Sequence, residues 1–182
     1  MTDYIHPIYS PAERRMRETF LTLMNAFAYP GRIYALPESG EPFALIAESL
    51  LDLETSAYTP LEWLQPVLAA AGARLLPAAG AAYHFYNTDA LEGIVAAPIG
   101  TMNRPDDAAT VFISGCTFDS GDQRTLSGAG INGTTTLRVG GVSDRLWELR
   151  AARVRFPLGW DVVLLDGHRV IGLPRTTNMV KG

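Results

Sequence analysis

The sequence predicts a single α/β domain, and three observations carry that expectation. Helix-start signals alternate with β-branched, strand-like runs along most of the chain. The closing stretch "FPLGWDVVLLDGHRVIGLPRTTNMV" (Phe156 to Val180) reads as two strands apolar on both faces, as expected for strands covered on two sides. The chain has 182 residues, 47% of them hydrophobic, with mixed charge, which suits one globular core rather than disorder.

The first element opens on a capping box with Pro at the first helical position, Ser10-Pro11-Ala12-Glu13. Its apolar stripe, Met16, Phe20, Leu23, Met24 and Phe27, recurs at helical spacing until Pro30-Gly31 stops it. Arg14, Arg15 and Arg17 occupy its first turns, the unfavourable end of the helix dipole. They read either as a solvated face beside Glu13 and Glu18 or as groups that have a partner elsewhere.

A strand is expected over Arg32 to Leu36, a helix over Pro42 to Glu54, and a short strand over Ser56 to Thr59. Thr59-Pro60-Leu61-Glu62 repeats the helix-start signature, before a helix that Pro66 should kink or end. Ala81 to Asn87 is strand-like and Asp89 to Ala96 would form a short helix. His84 lies among aromatics, as expected for a hydrogen-bonded core histidine. Pro105-Asp106-Asp107 marks a turn, and Ala109 to Ser114 a buried strand. Adjacent acids in a turn diverge into solvent, so a catalytic or metal-binding pair is not expected there.

Gly128, Gly130 and Gly133 satisfy G-x-G-x-x-G, but the next residues are "TTTLRV", a strand-like run instead of the helix that a dinucleotide site requires. These glycines read as a turn or close backbone approach, with a phosphate nest at Gly128 to Gly130 as the alternative. A helix from Ser143 to Arg155 would present Trp147, Ala151 and Val154 on one side, closed by Pro157. In the final hairpin, a two-residue turn at Asp166-Gly167 would pair Leu165 with His168, Val163 with Val170, Asp161 with Gly172 and Trp160 with Leu173. Asp161 then needs a buried partner, and Arg175 is the candidate.

Several functional classes are set aside by composition. No twenty-residue apolar run exists, so no membrane span is expected; the richest stretch, Pro66 to Phe85, is broken by Arg74 and Pro77. "MTDYIHPIYSP" carries Asp3 and lacks a basic start, so the expectation is no secretory signal and a cytoplasmic location. Cys116 is the one cysteine, and His6, His84 and His168 are scattered, so neither an internal disulfide nor a structural metal is expected. A net charge of −4 argues against binding nucleic acid through a basic face. Fourteen of the fifteen basic residues are Arg and one is Lys181, which fits either codon bias or anionic ligands.

The closing "FPLGWD" (Phe156 to Asp161), strand, turn, strand and "PRTT" (Pro174 to Thr177) resemble the PhnH family of the bacterial carbon-phosphorus lyase complex. "RRMRETFLTLMNAFAYPG" (Arg14 to Gly31), "LLDLET" (Leu50 to Thr55), "GTMNRPDDAAT" (Gly100 to Thr110) and "LSGAGI" (Leu126 to Ile131) are similar to further family segments in the same order. The resemblance implies one PhnH-like domain over residues 1–182. It implies a three-layer α/β/α fold with a mixed sheet, similar to the pyridoxal-phosphate-dependent transferases but without that cofactor. A Schiff-base enzyme needs an internal Lys, and Lys181 is the penultimate residue.

The resemblance further implies a role in phosphonate catabolism. PhnH proteins work there with the G, I, J and L subunits of the complex, converting ATP and an alkylphosphonate to ribose 1-alkylphosphonate 5-triphosphate with release of adenine. Isolated family members form homodimers, and no catalytic residue is carried over. Two readings stay open at this point. The chain is an interaction subunit of a multi-subunit transferase, or it binds nucleotide or phosphonate directly. In the second, Arg175, Thr176 and Thr177, with Gly128 and Gly130, supply the phosphate donors. Arg175 is alternatively the ion-pair partner of Asp161.

Overall fold

The computed structural model describes residues 9–182; His6 and most of the segment read above for a secretory signal lie outside them. Helix α1 (Pro11–Ala28) starts on the capping box: the Ser10 hydroxyl accepts from the Glu13 N–H and the Glu13 carboxylate accepts from the Ser10 N–H. Strand β1 (Tyr34–Ala35) is shorter than expected. Helix α2 (Pro42–Leu50) ends before Glu54, because the Asp52 carboxylate accepts from the N–H groups of Glu54 and Thr55 and folds that segment into a turn.

Strand β2 (Ser56–Tyr58) leads to α3 (Gln65–Ala70), whose first turn holds Pro66. Proline therefore begins this helix, where a missing N–H costs nothing, and does not kink or end it. After β3 (Arg74–Leu75) and β4 (Tyr83–Asn87), the expected helix from Asp89 reduces to a 3₁₀ turn at Ile94–Ala96. Gly93, at φ 87°, breaks the helical path just before it. Strand β5 (Thr110–Ser114) comes after the Pro105–Asp107 turn.

Strands β6 (Thr117–Gly128) and β7 (Thr135–Gly140) come next, then α4 (Asp144–Arg153), shorter than expected at both ends. Helix α4 buries Leu146, Trp147 and Arg150, while Ala151 is exposed, so its inward face is rotated from the expected one. Strands β8 (Asp161–Asp166), β9 (Arg169–Leu173) and β10 (Thr177–Lys181) complete the chain.

A seven-stranded mixed sheet has the order β1-β9-β8-β5-β4-β2-β3. Strands β3, β2, β4, β5 and β8 run parallel, and β9 and β1 join antiparallel. Alternate residues feed two cores. Phe85, Phe112, Val163, Leu165 and Val170 pack with α1, α2 and α3, whereas Tyr86, Val111, Ile113, Val162, Leu164 and Ile171 pack on the opposite side. That second core is closed by Leu146 and Trp147 of α4 and by Leu126, Leu137 and Val139 of a three-stranded sheet, β10-β6-β7.

The β8–β9 register differs from expectation by two positions. Val163 faces Gly172, Leu165 faces Val170, and Asp166 pairs with Arg169, leaving Gly167-His168 as the turn. Asp166 stays in the ladder because its carboxylate accepts from the Phe118 N–H at 2.9 Å and binds the Arg169 guanidinium. Gly167, at φ 56°, takes the first central position, where a two-residue hairpin of type II′ places glycine. Gly172 therefore does not face Asp161. Its bare Cα faces α1, and a Cβ there would collide with the Ala26 carbonyl.

Gly172→Ala is thus expected to cost about 3 kcal/mol by overpacking. Gly133→Ala should cost about 1 kcal/mol for its positive φ, since its Cβ would meet nothing. Urea unfolding of both variants checks this, and equal losses would contradict the α1–β9 contact.

Candidate functional site

The stretches singled out in the sequence converge where the chain leaves the large sheet and enters the small one. Asp161 opens β8, and Arg175 lies just past β9, which runs the other way, so both stand at the amino-terminal edge of the parallel strands. The Asp161 carboxylate accepts from the Arg175 backbone N–H at 2.8 Å, from Nε at 3.1 Å and from Nη2 at 2.5 Å. Arg175 Nη1 donates to the Pro105 carbonyl at 2.5 Å and reaches that of Pro157. The Arg175 fork is therefore committed to protein acceptors. In parallel α/β sheets ligands bind at the carboxyl ends of the strands, and this pair lies at the opposite end.

Thr177 and Gly128 pair across β10 and β6, and Gly128 approaches the Thr176 carbonyl so closely that a Cβ would clash. Gly130 is pressed in the same way against the Ala28 carbonyl and Pro30 at the end of α1. The element after Gly133 is strand β7, so the glycine pattern serves a strand-to-strand turn and two close backbone approaches. Gly128, Thr176 and Thr177 thus meet just after Arg175 in the crossover, while Gly130 lies against the end of α1.

Arg150 is a member of this junction that sequence reasoning did not pick out. It is buried in the last turn of α4, and its terminal nitrogens donate to the carbonyls of Leu173, Pro174 and Thr177 at 3.0–3.4 Å. Burial pulls the guanidinium down to about 10, opposed by the charge of Asp161, so it stays protonated at neutral pH.

A second feature lies on α1. Leu23 and Ala26 are buried and Phe27 partly so, but Met16, Phe20 and Met24 are 37%, 45% and 52% exposed. Spaced four apart, they form one stripe, flanked by exposed Leu21 and Tyr29. The five positions of the apolar stripe are thus divided between core and surface, because the sheet covers only one side of the helix. Arg15 has a partner, donating through Nη2 and Nε to both Glu48 oxygens at 2.7 and 2.9 Å.

His84 is fully buried on β4. Its Nε2 donates to the Ala81 carbonyl at 3.0 Å, which leaves Nδ1 to accept from the Tyr86 hydroxyl at 2.9 Å. Burial holds the imidazole down at about 4, so it is neutral at pH 7. Cys116 is buried, and its thiol is pushed up to about 12, which leaves it un-ionised. Asp106 and Asp107 are both exposed, and Arg104 binds Asp107 at 2.8 Å.

The chain matches the family model described as "Bacterial phosphonate metabolism protein (PhnH)" over residues 8–180. A Stutzerimonas stutzeri protein named "Putative C-P lyase subunit protein HtxG" is 34% identical over 169 residues, covering 91% of this chain and 86% of its own. The Rhizobium meliloti (strain 1021) protein named "Alpha-D-ribose 1-methylphosphonate 5-triphosphate synthase subunit PhnH" is 29% identical over 183 residues, covering 90% and 89%.

Arg175→Met should destabilise the chain by about 2 kcal/mol, since it strands a half-buried carboxylate; unchanged urea unfolding would count against a structural role. His84 provides a pH test. An unfolded histidine takes up its proton near pH 6.5 and the folded one only near 4, so stability should fall as pH drops through that window and level below it. The fall is about 3 kcal/mol, and His84→Gln should remove it from pH-dependent unfolding curves.

Proposed function

The chain belongs to the bacterial phosphonate metabolism protein family PhnH, and on that premise we propose that it is a subunit of the carbon-phosphorus lyase system of phosphonate catabolism. It is required with its partners to convert ATP and an alkylphosphonate to ribose 1-alkylphosphonate 5-triphosphate. The relatives' names, a C-P lyase subunit and a ribose 1-methylphosphonate 5-triphosphate synthase subunit, support this reading. Its partners are the G, I, J and L subunits of that complex, and the isolated chain is a homodimer in the cytoplasm. Residues 1–182 act as one domain, a cofactor-free, three-layer relative of the pyridoxal-phosphate-dependent transferase fold.

The observation that carries the interaction role is the Met16–Phe20–Met24 stripe. An isolated chain gains nothing from three large apolar side chains in water on one helix face, whereas a subunit buries them on docking. The reading in which Arg175 binds a phosphate group is less well supported, because that fork already holds Asp161 and the Pro105 carbonyl.

The test is co-expression with the G, I, J and L subunits. Phe20→Glu and Met24→Glu leave the core untouched and should keep the fold, but should abolish co-purification with those subunits and adenine release from ATP and methylphosphonate. Variants that fold, co-purify and support adenine release would overturn the docking role of α1.

A further inference from the structure

Helix α4 and strand β10 leave between them a cleft of about 690 Å³. Arg124, Arg150 and Thr177 line it, each nine-tenths buried or more at 7%, 5% and 2% exposure. Among the described residues, four buried side-chain polar atoms have no hydrogen-bond partner, and three belong to residues of this lining, just beneath its surface: Arg124 Nε, Arg150 Nε and Thr177 Oγ1. Two of the three can only donate and the hydroxyl can also donate. A buried donor without an acceptor loses its solvation and gains nothing in return, so such groups are rare unless something else supplies the acceptor.

Charge is unbalanced in the same sense. Arg150 carries a buried positive charge whose hydrogen bonds all go to backbone carbonyls, while the nearby Asp161 carboxylate is bonded to Arg175. Arg124 lies 4.7 Å from the Trp147 ring centroid and holds Asp144 at 2.9 Å. Asp144 stands exposed at the mouth and also binds Lys181 at 3.2 Å, whose nearer partner is Asp122 at 2.7 Å. Its carboxylate sits between two cations, where the oxygens of an entering anion would be drawn. Glu148 is the other carboxylate of the lining.

We propose that this cleft binds a phosphorus oxyanion, with Arg124 and Lys181 as its charged contacts at the mouth and Arg150 and Thr177 behind them. The Arg124 guanidinium, the Lys181 ammonium and the Thr177 hydroxyl, with the charge of Arg150 behind them, suit a tetrahedral group with three acceptor oxygens better than a planar carboxylate. The volume lies in the range of small-molecule sites and exceeds what one phosphate fills, leaving room for a larger body attached to it. The proposal stands on the cleft alone and does not depend on how α1 docks.

The experiment is isothermal titration of the full-length chain at low ionic strength with inorganic phosphate, methylphosphonate and ATP as separate probes, which distinguishes free phosphate, phosphonate and nucleotide as the source. Saturable binding of at least one probe is expected. Lys181→Ala, an exposed change, should weaken it about tenfold, as for loss of one charge-assisted hydrogen bond. Asp144→Asn should strengthen it severalfold by removing the competing carboxylate, and Arg138→Ala on β7, outside the cleft, should leave it unchanged. Absence of saturable binding for all three probes would overturn the proposal, as would equal weakening by Arg138→Ala and Lys181→Ala or no gain from Asp144→Asn.

Discussion

The rest of the molecule depends on a constraint met between Leu173 and Thr177, where the backbone must leave one sheet and enter another within a few residues. A buried segment this short cannot satisfy its carbonyls with a ladder of its own. Arg150 solves this from α4 by donating to Leu173, Pro174 and Thr177, and the Asp161 carboxylate secures the N–H and side chain of Arg175. With the crossover held, β10 reaches β6, the small sheet forms, and the second core can close on the large sheet. A charged residue is thus the internal fastening of an otherwise apolar interface.

The same junction explains why motifs far apart in the chain occur together. The ends of α1, β6 and β9 meet there, and each contributes a backbone that passes too near a neighbour for a side chain. Gly128 lies against Thr176, Gly130 against Ala28, and Gly31 against Leu126. The Gly-rich and Pro-Arg-Thr-Thr stretches are the two sides of one contact, and a substitution in either would be felt in the other.

Much of this was legible in the residues. The capping box at Ser10, the β5 and β4 strands, the core position of His84 and the failure of the glycine pattern as a nucleotide fingerprint all follow from local chemistry. The hairpin register was not, because Asp166-Gly167 has the composition of a turn while Asp166 is held in the ladder by Phe118 and Arg169, residues a turn rule does not see. Strand β6 was missed for a similar reason: Asp119, Ser120, Gly121 and Asp122 look like a loop, yet they lie in a bulged part of the strand. Periodicity located the apolar arc of α1 but could not say where the sheet ends and water begins on it. Nothing local in the sequence marks Arg150 and Arg124 as buried arginines.

Gly172 gives α1 a further property. Because α1 rests backbone to backbone on β9 at Gly172, with the Ala26 carbonyl where a side chain would otherwise stand, helix and strand touch directly at that point. Strand β9 runs directly into the crossover that Arg150 holds. The helix that carries the outer stripe is therefore seated, at this one point, directly on the strand that leads into the crossover.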